Sequence, residues 1–75
     1  SADTSKSIGL LRARDIALEH AEIKKEDVRA YTKAKIDRSN GAYVYELEFE
    51  TVDYEYEAVL DIETGEIVKY RALYK

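Results

Sequence analysis

His20 is the only histidine, and the chain has no cysteine. A zinc centre needs three or four such ligands, as in a His-Glu-x-x-His helix or a cysteine pair, and neither pattern occurs. The plainer reading of His20 is a half-buried helix residue capping a pocket over a sheet. The serines and threonines have no base beside them in sequence and no oxyanion signal, so nucleophilic catalysis has little to build on. The carboxylates offer more. Glu46, Glu48 and Glu50 alternate along one segment, and Glu55 and Glu57 along the next. If the chain reverses at Val52-Asp53, Glu50 faces Glu55 and Glu48 faces Glu57. Like charges placed so are unfavourable by some fraction of ~1 kcal/mol per pair. Arg29, Lys33 and Lys35 on one flank, with Lys69 and Arg71 on the other, then compensate. Such a face reads basic, acidic, acidic, basic. Its plainer reading is a cross-strand salt-bridge lattice. Its functional reading is an acidic patch for a basic partner or a weakly held Ca²⁺. Neither a cofactor nor catalytic activity is expected.

The elements that would position these groups follow from hydrophobic period. Leu10, Ala13, Ile16, Ala17, His20 and Ala21 recur at three- and four-residue spacing, one stripe of an amphipathic helix. Arg12, Arg14, Asp15, Glu19 and Glu22 fall mostly on the other side. Gly9 is the expected N-cap, with Ile8 packing back as a staple against Ala13. The helix should fade near Glu22, Ile23 should turn inward, and the next four residues make a polar turn.

Beyond that turn the period becomes two. A first strand turns Val28, Ala30, Thr32, Ala34 and Ile36 inward, with Arg29, Tyr31, Lys33, Lys35 and Asp37 outward. Asn40-Gly41 then signals a hairpin. The second strand directs Tyr43, Tyr45, Leu47 and Phe49 inward. The third directs Tyr54, Tyr56, Ala58 and Leu60 inward, with Glu55, Glu57, Val59 and Asp61 outward. The fourth directs Val68, Tyr70, Ala72 and Tyr74 inward, leaving Ile67, Lys69, Arg71 and Leu73 outward. Between the last two strands stands Asp61-Ile62-Glu63-Thr64-Gly65-Glu66, read as a three-residue connection in which Gly65 takes positive φ. Asp61 and Thr64 can fix it by bonding nearby backbone amides. Four antiparallel strands with short loops leave one face that the lone helix must cover, an α+β fold.

Six of the seven tyrosines land on that inner face. A helix of about three turns spans roughly 18 Å and cannot cover them all. Tyr54 and Tyr74, at the uncovered end, are therefore either core-margin residues with wet hydroxyls or a partner surface.

At 75 residues the chain makes one small domain, burying roughly 60% of the surface its unfolded form exposes. With no disulfide, its 45% hydrophobic residues must supply the packing. A net charge of −4 argues against nucleic-acid binding, which needs a concentrated basic face. No apolar run approaches the ~20 residues of a membrane span, so direct membrane insertion of this segment is not expected. Residues 1–7 read as a disordered linker or expression remnant, and residues 8–75 as the domain. Ser1 is no translation start, so the segment is expected to belong to a longer protein.

Laid end to end, these words resemble the PepSY domain, a small module of secreted bacterial proteins. The family pattern opens with Ile and a helix ending Ile-Ala-Leu-x-His-Ala, here Ile8 and Ile16-Ala17-Leu18-Glu19-His20-Ala21. A Tyr-x-hydrophobic-x-hydrophobic strand follows, here Tyr45-Glu46-Leu47-Glu48-Phe49. A Tyr-rich strand then leads into an Asp-x-x-Thr-Gly-Glu-hydrophobic hairpin, here Tyr54 to Tyr56 and Asp61 to Ile67. Two positions depart from the pattern. Gly9 stands where Ser or Thr is usual, and Glu22 replaces a Gly after His-Ala, so the helix end must differ or carry about 1 kcal/mol of left-handed strain.

The resemblance implies a noncatalytic extracellular or cell-envelope module that binds, inhibits or regulates a secreted peptidase. The family brings no active-site set with it. The alternatives are a structural spacer or tandem-repeat domain contacting its neighbours in the same chain, and a cation sensor. The residues nominated for partner binding are Glu48, Glu50, Glu55, Glu57, Tyr54 and Tyr74.

Overall fold

In the computed structural model, which describes residues 4–75, helix α1 (Leu10–Ala21) leads through a short 3-10 turn (Lys25–Asp27) into four strands. These are β1 (Ala30–Ser39), β2 (Ala42–Glu50), β3 (Tyr54–Asp61) and β4 (Ile67–Tyr74), paired antiparallel in the order β1-β2-β3-β4. The α+β meander that the periods predict is therefore present. Of the expected linker, residues 1–3 lie outside the described residues. Thr4 to Ser7 form a turn in which Ser7 N–H donates to the Thr4 carbonyl at 3.1 Å.

Local chemistry explains each boundary. Gly9 caps α1 at φ 88°, ψ 154°, a region that a Ser or Thr cap would enter only under strain. The missing side-chain cap is thus the cost of the entry geometry. At the other end Glu22 is left-handed at φ 59°, ψ 45°. Its N–H donates to Glu19 O at 3.1 Å, and Ile23 N–H reaches back to Leu18 O at 2.9 Å. This is a Schellman ending built on a residue with a Cβ. Ile23 lies half-buried against the core, as its place in that motif requires.

The hairpins turn where expected. Asn40 and Gly41, both at positive φ, join β1 to β2. Val52-Asp53 joins β2 to β3, with Thr51 N–H on Tyr54 O at 2.9 Å. The Lys75 N–H donates to the Asp53 carbonyl and its Nζ to the Thr51 carbonyl, each at 2.8 Å, tying the C-terminus to that turn. The third connection is longer than the predicted three residues. Asp61 N–H bonds Glu66 O at 2.9 Å, so residues 62–65 are enclosed.

The core lies between α1 and β2–β3. Ala13, Ala17 and Leu18 meet Tyr45, Leu47, Phe49, Ala58, Leu60 and Ile62, all nearly inaccessible. The two alanines let the helix axis approach the sheet closely. Leu18, outside the predicted stripe, is buried, whereas His20 within it is exposed. The stripe is thus rotated toward Leu18. Ile8 donates its N–H to Ile62 O at 2.7 Å, packs against the core cluster and lies over Gly65.

Two bulges correct the strand faces. In β1 the pairing passes from Tyr31↔Phe49 directly to Lys33↔Glu48, leaving Thr32 extra. Tyr31 therefore joins Phe49 on the helix face, and Ala30, opposite Glu50, is on the outer one. In β4 the pairing passes from Lys69↔Val59 to Ile67↔Leu60, leaving Val68 extra. Ile67 packs half-buried on the core and Val68 is 54% exposed, the reverse of the strict alternation. A bulge shifts one side chain without moving the rest of the register. On the outer face Val44 and Val59 are nonetheless buried, in a depression walled by the stems of Glu46, Glu57 and Lys69.

Candidate functional site

The outer face carries the predicted charge order. Glu48 stands opposite Glu57 and Glu50 opposite Glu55 in β2 and β3, while Lys33 opposes Glu48 and Arg71 opposes Glu57. Lys33 Nζ lies 3.1 Å from Glu48 Oε2 and 3.7 Å from Glu46 Oε1. Glu57 Oε1 meets Arg71 Nε at 3.4 Å and Lys69 Nζ at 3.6 Å. Glu50 pairs with Lys75 at 3.5 Å. The lattice satisfies three of the four nominated carboxylates. Glu55, exposed and opposite Leu73, has no ion pair among the described residues.

Fields within the lattice are mutual. The Glu48 carboxylate, by hydrogen bond and by charge, holds the Lys33 ammonium above the ordinary lysine range, with Glu46 and Glu57 adding to it. Asp37 sits below the ordinary carboxyl range, chiefly through a hydrogen bond with the Glu46 side chain and one from Arg38 N–H. A depression of about 210 Å³ is lined by Glu48, Glu55, Tyr56, Glu57, Arg71 and Leu73. No group of three or more His, Cys, Asp or Glu among the described residues could hold a metal ion.

The other nominated pair lies on the opposite face. Tyr54 and Tyr74 meet edge to face at 5.4 Å and 75°, 38% and 75% exposed. They end a train of rings that crosses the sheet. Tyr31 lies 6.1 Å from Phe49, Phe49 stacks on Tyr56 at 5.1 Å, and Tyr56 lies 5.8 Å from Tyr54. The structure therefore gathers the four glutamates on one side and the two tyrosines on the other, two surfaces and not one site.

His20 packs edge-on to Tyr70 at 4.6 Å, an exposed cover for the sheet's β4 side. Partial burial, with Tyr56 and Glu22, pushes the Tyr70 phenol above its ordinary value. On the β1 side, Arg14 stacks over Tyr31 with its guanidinium carbon 4.1 Å from the ring centroid. Beside it, a trough of about 330 Å³ opens between α1 and β1, lined by Leu10, Ala34, Lys35, Ile36 and Tyr45. Strict alternation turns Ala34, Ile36 and Tyr45 inward but sends Tyr31 to the outer face. The signal against that assignment was one aromatic, Tyr31, among the charges of Arg29, Lys33 and Lys35.

One curated relative matches: the uncharacterized protein Spy1430 of Streptococcus pyogenes serotype M6 is 34% identical over 71 residues, covering 92% of this chain and 54% of the relative. The chain thus spans about half the length of the curated relative it matches. No family model matches the chain. No solved structure matches it significantly. No helix among the described residues is long and apolar enough to cross a membrane.

Proposed function

We propose that the chain is a noncatalytic interaction module of the PepSY kind, working outside the cell or in its envelope, and that it binds and restrains a secreted peptidase. The observation that carries this reading is the exposed Tyr54–Tyr74 pair at the end of the helix face that α1 does not reach. Tyrosine there offers a broad apolar ring with a polar tip at little entropic cost, a composition enriched in protein interfaces. The order of motifs from Ile8 to Ile67 supports the peptidase as the partner. Restraint needs no reactive group on this chain, only a surface that occupies the enzyme.

The test is a titration of the chain into each secreted metallopeptidase of the organism that encodes it. Saturable loss of activity is expected for at least one. Full activity across the whole set at micromolar chain overturns the reading.

A second reading, a spacer or tandem-repeat unit contacting neighbouring domains of the same chain, is favoured by the half-length match to the relative. It predicts that the encoding gene carries further copies or an anchor around this segment.

A further inference from the structure

The two edges of the sheet are not equivalent. Both edge strands carry one bulge, at Val68 in β4 and Thr32 in β1. Both also hold their lysines in exposed ion pairs, Lys69 with Glu57, Lys33 with Glu48 and Glu46, and Lys35 with Asp37 at 3.8 Å. What differs is the helix face, where His20 packs over Tyr70 on the β4 side and a trough stays open on the β1 side. β1 keeps one register without interruption over residues 33–39. Its outer strand edge is unpaired, and on the helix face it borders the trough lined by Leu10, Ala34, Lys35, Ile36 and Tyr45. Ile36 in that trough is 38% exposed, and Leu11, in the same turn of α1 as Leu10, is 75% exposed. Leu11 and Arg14 share a helix face by their three-residue spacing, so both belong to the β1 side.

The charge of this edge opposes that of the whole chain. β1 carries Lys33, Lys35 and Arg38 against one carboxylate, Asp37, in a protein of net charge −4. Arg38 lies over Tyr43 at 5.3 Å and Arg14 over Tyr31, and neither has an ion pair among the described residues. Arg14 Nε is buried and lacks a hydrogen-bond partner among them. A second copy is a poor occupant. Pairing β1 with β4 would set Lys33 and Lys35 against Lys69 and Arg71, and pairing β1 with itself would oppose its own lysines, a common device against edge-to-edge association.

We propose that β1 accepts an extended acidic peptide strand in which apolar residues alternate with Asp or Glu. Added to the edge, such a strand presents every second side chain to each face. Its apolar residues enter the trough between Leu10 and Ile36. Its carboxylates meet Lys33 and Lys35 on the outer face, while Arg14 and Arg38 cap the ends of the trough. This deepens the interaction-module reading and rests on it, naming the edge and the chemistry of the partner segment.

The test uses a short fluorescein-labelled peptide alternating Glu and Val, with a Lys/Val counterpart. The Glu/Val peptide should bind saturably by anisotropy, more weakly as salt rises, and shift amide resonances of residues 33–39 and the first turn of α1. The K33E/K35E chain should lose at least tenfold for Glu/Val and gain for Lys/Val, with its circular dichroism unchanged. Ile36→Ser, which leaves charge alone, should weaken Glu/Val binding severalfold. Absent binding, equal binding of both peptides, or shifts confined to β4 or to Tyr54 and Tyr74 overturns the proposal. The two readings fail separately. Peptidase inhibition carried by Tyr54 and Tyr74, with no Glu/Val peptide bound by the parent chain, leaves the module and removes the β1 acceptor. Peptide binding at β1 with no peptidase inhibited does the reverse.

Discussion

Gly65 and Ile16 touch so closely that a Cβ on the glycine would sit 2.7 Å from Ile16 Cδ1 and 3.2 Å from Ile8 Cδ1. The β3–β4 turn is therefore also the seat of the helix. Asp61 Oδ1 accepts the N–H groups of Glu63 at 2.8 Å and Thr64 at 3.0 Å, and Thr64 Oγ1 accepts from Glu66 N–H at 3.1 Å. Those bonds hold Gly65 at φ 76°, and the bare backbone there admits Ile8 and Ile16 from above. One six-residue run thus sets the register of two strands and the position of α1.

Gly65→Ala should cost about 2–4 kcal/mol in urea unfolding, combining left-handed strain with overpacking. Ile16→Val removes the Cδ1 that clashes, so the double variant should lose less than the sum of the two singles. A strictly additive double variant would show that strain alone, and not contact with the helix, sets the cost.

Glu22→Gly should stabilise the chain by about 0.5–1 kcal/mol. The residue closes a Schellman ending at φ 59°, where a Cβ is unfavourable and glycine is at ease, less glycine's greater freedom when unfolded. A lowered melting temperature would mean that the Glu22 side chain contributes something its exposed position does not reveal.

The Asp61 carboxyl sits below its ordinary value of 3.8, first through the Thr64 N–H and next through that of Glu63. A depressed folded-state pKa contributes stability that is present above the unfolded value and lost as pH falls through the folded one. Unfolding free energy should therefore decline on acidification below about pH 4. Asp61→Asn, which cannot titrate, should flatten that decline, as measured by denaturant melts at stepped pH. Equal slopes in variant and parent would remove Asp61 from the acid response.

Most of the fold was legible in residue spacing. Asn40-Gly41, Val52-Asp53 and the alternating glutamates placed the hairpins and the charge order of the outer face. What alternation could not carry were the two bulges. A period of two has no means of announcing an extra residue, so alternation sends Tyr31 and Ile67 to the outer face and Ala30, Thr32 and Val68 to the core face, against the observed pairing. Adjacent apolar residues at Ile67-Val68 and a tyrosine among lysines were the available hints. Alternation does turn the trough's Ala34, Ile36 and Tyr45 inward; what it does not carry is how much of that face α1 leaves open. The Tyr54 and Tyr74 exposure was readable, since it followed from helix length alone.

The bulges can be tested by deletion. Removing Thr32 should leave Tyr31 against Phe49 and Lys33 against Glu48, so the fold and the nuclear Overhauser contacts of those pairs should persist. Removing Ala34 instead absorbs the bulge by setting Lys33 opposite Leu47 on the helix face and Thr32 opposite Glu48 on the outer one. It should cost more stability, because a lysine then replaces an alanine beside the core. Equal losses from the two deletions would mean that Thr32 is needed for more than its place in the count.

The central claim is that this small sheet binds a peptidase through a surface the helix leaves open. It is tested most directly by calorimetric titration of the chain into an inhibited metallopeptidase, beside the Tyr54→Ser, Tyr74→Ser double variant. The account predicts a saturable, one-to-one complex that the variant weakens at least tenfold while keeping its fold. A variant that binds as tightly as the parent, or a parent that gives no heat and no complex, would contradict it.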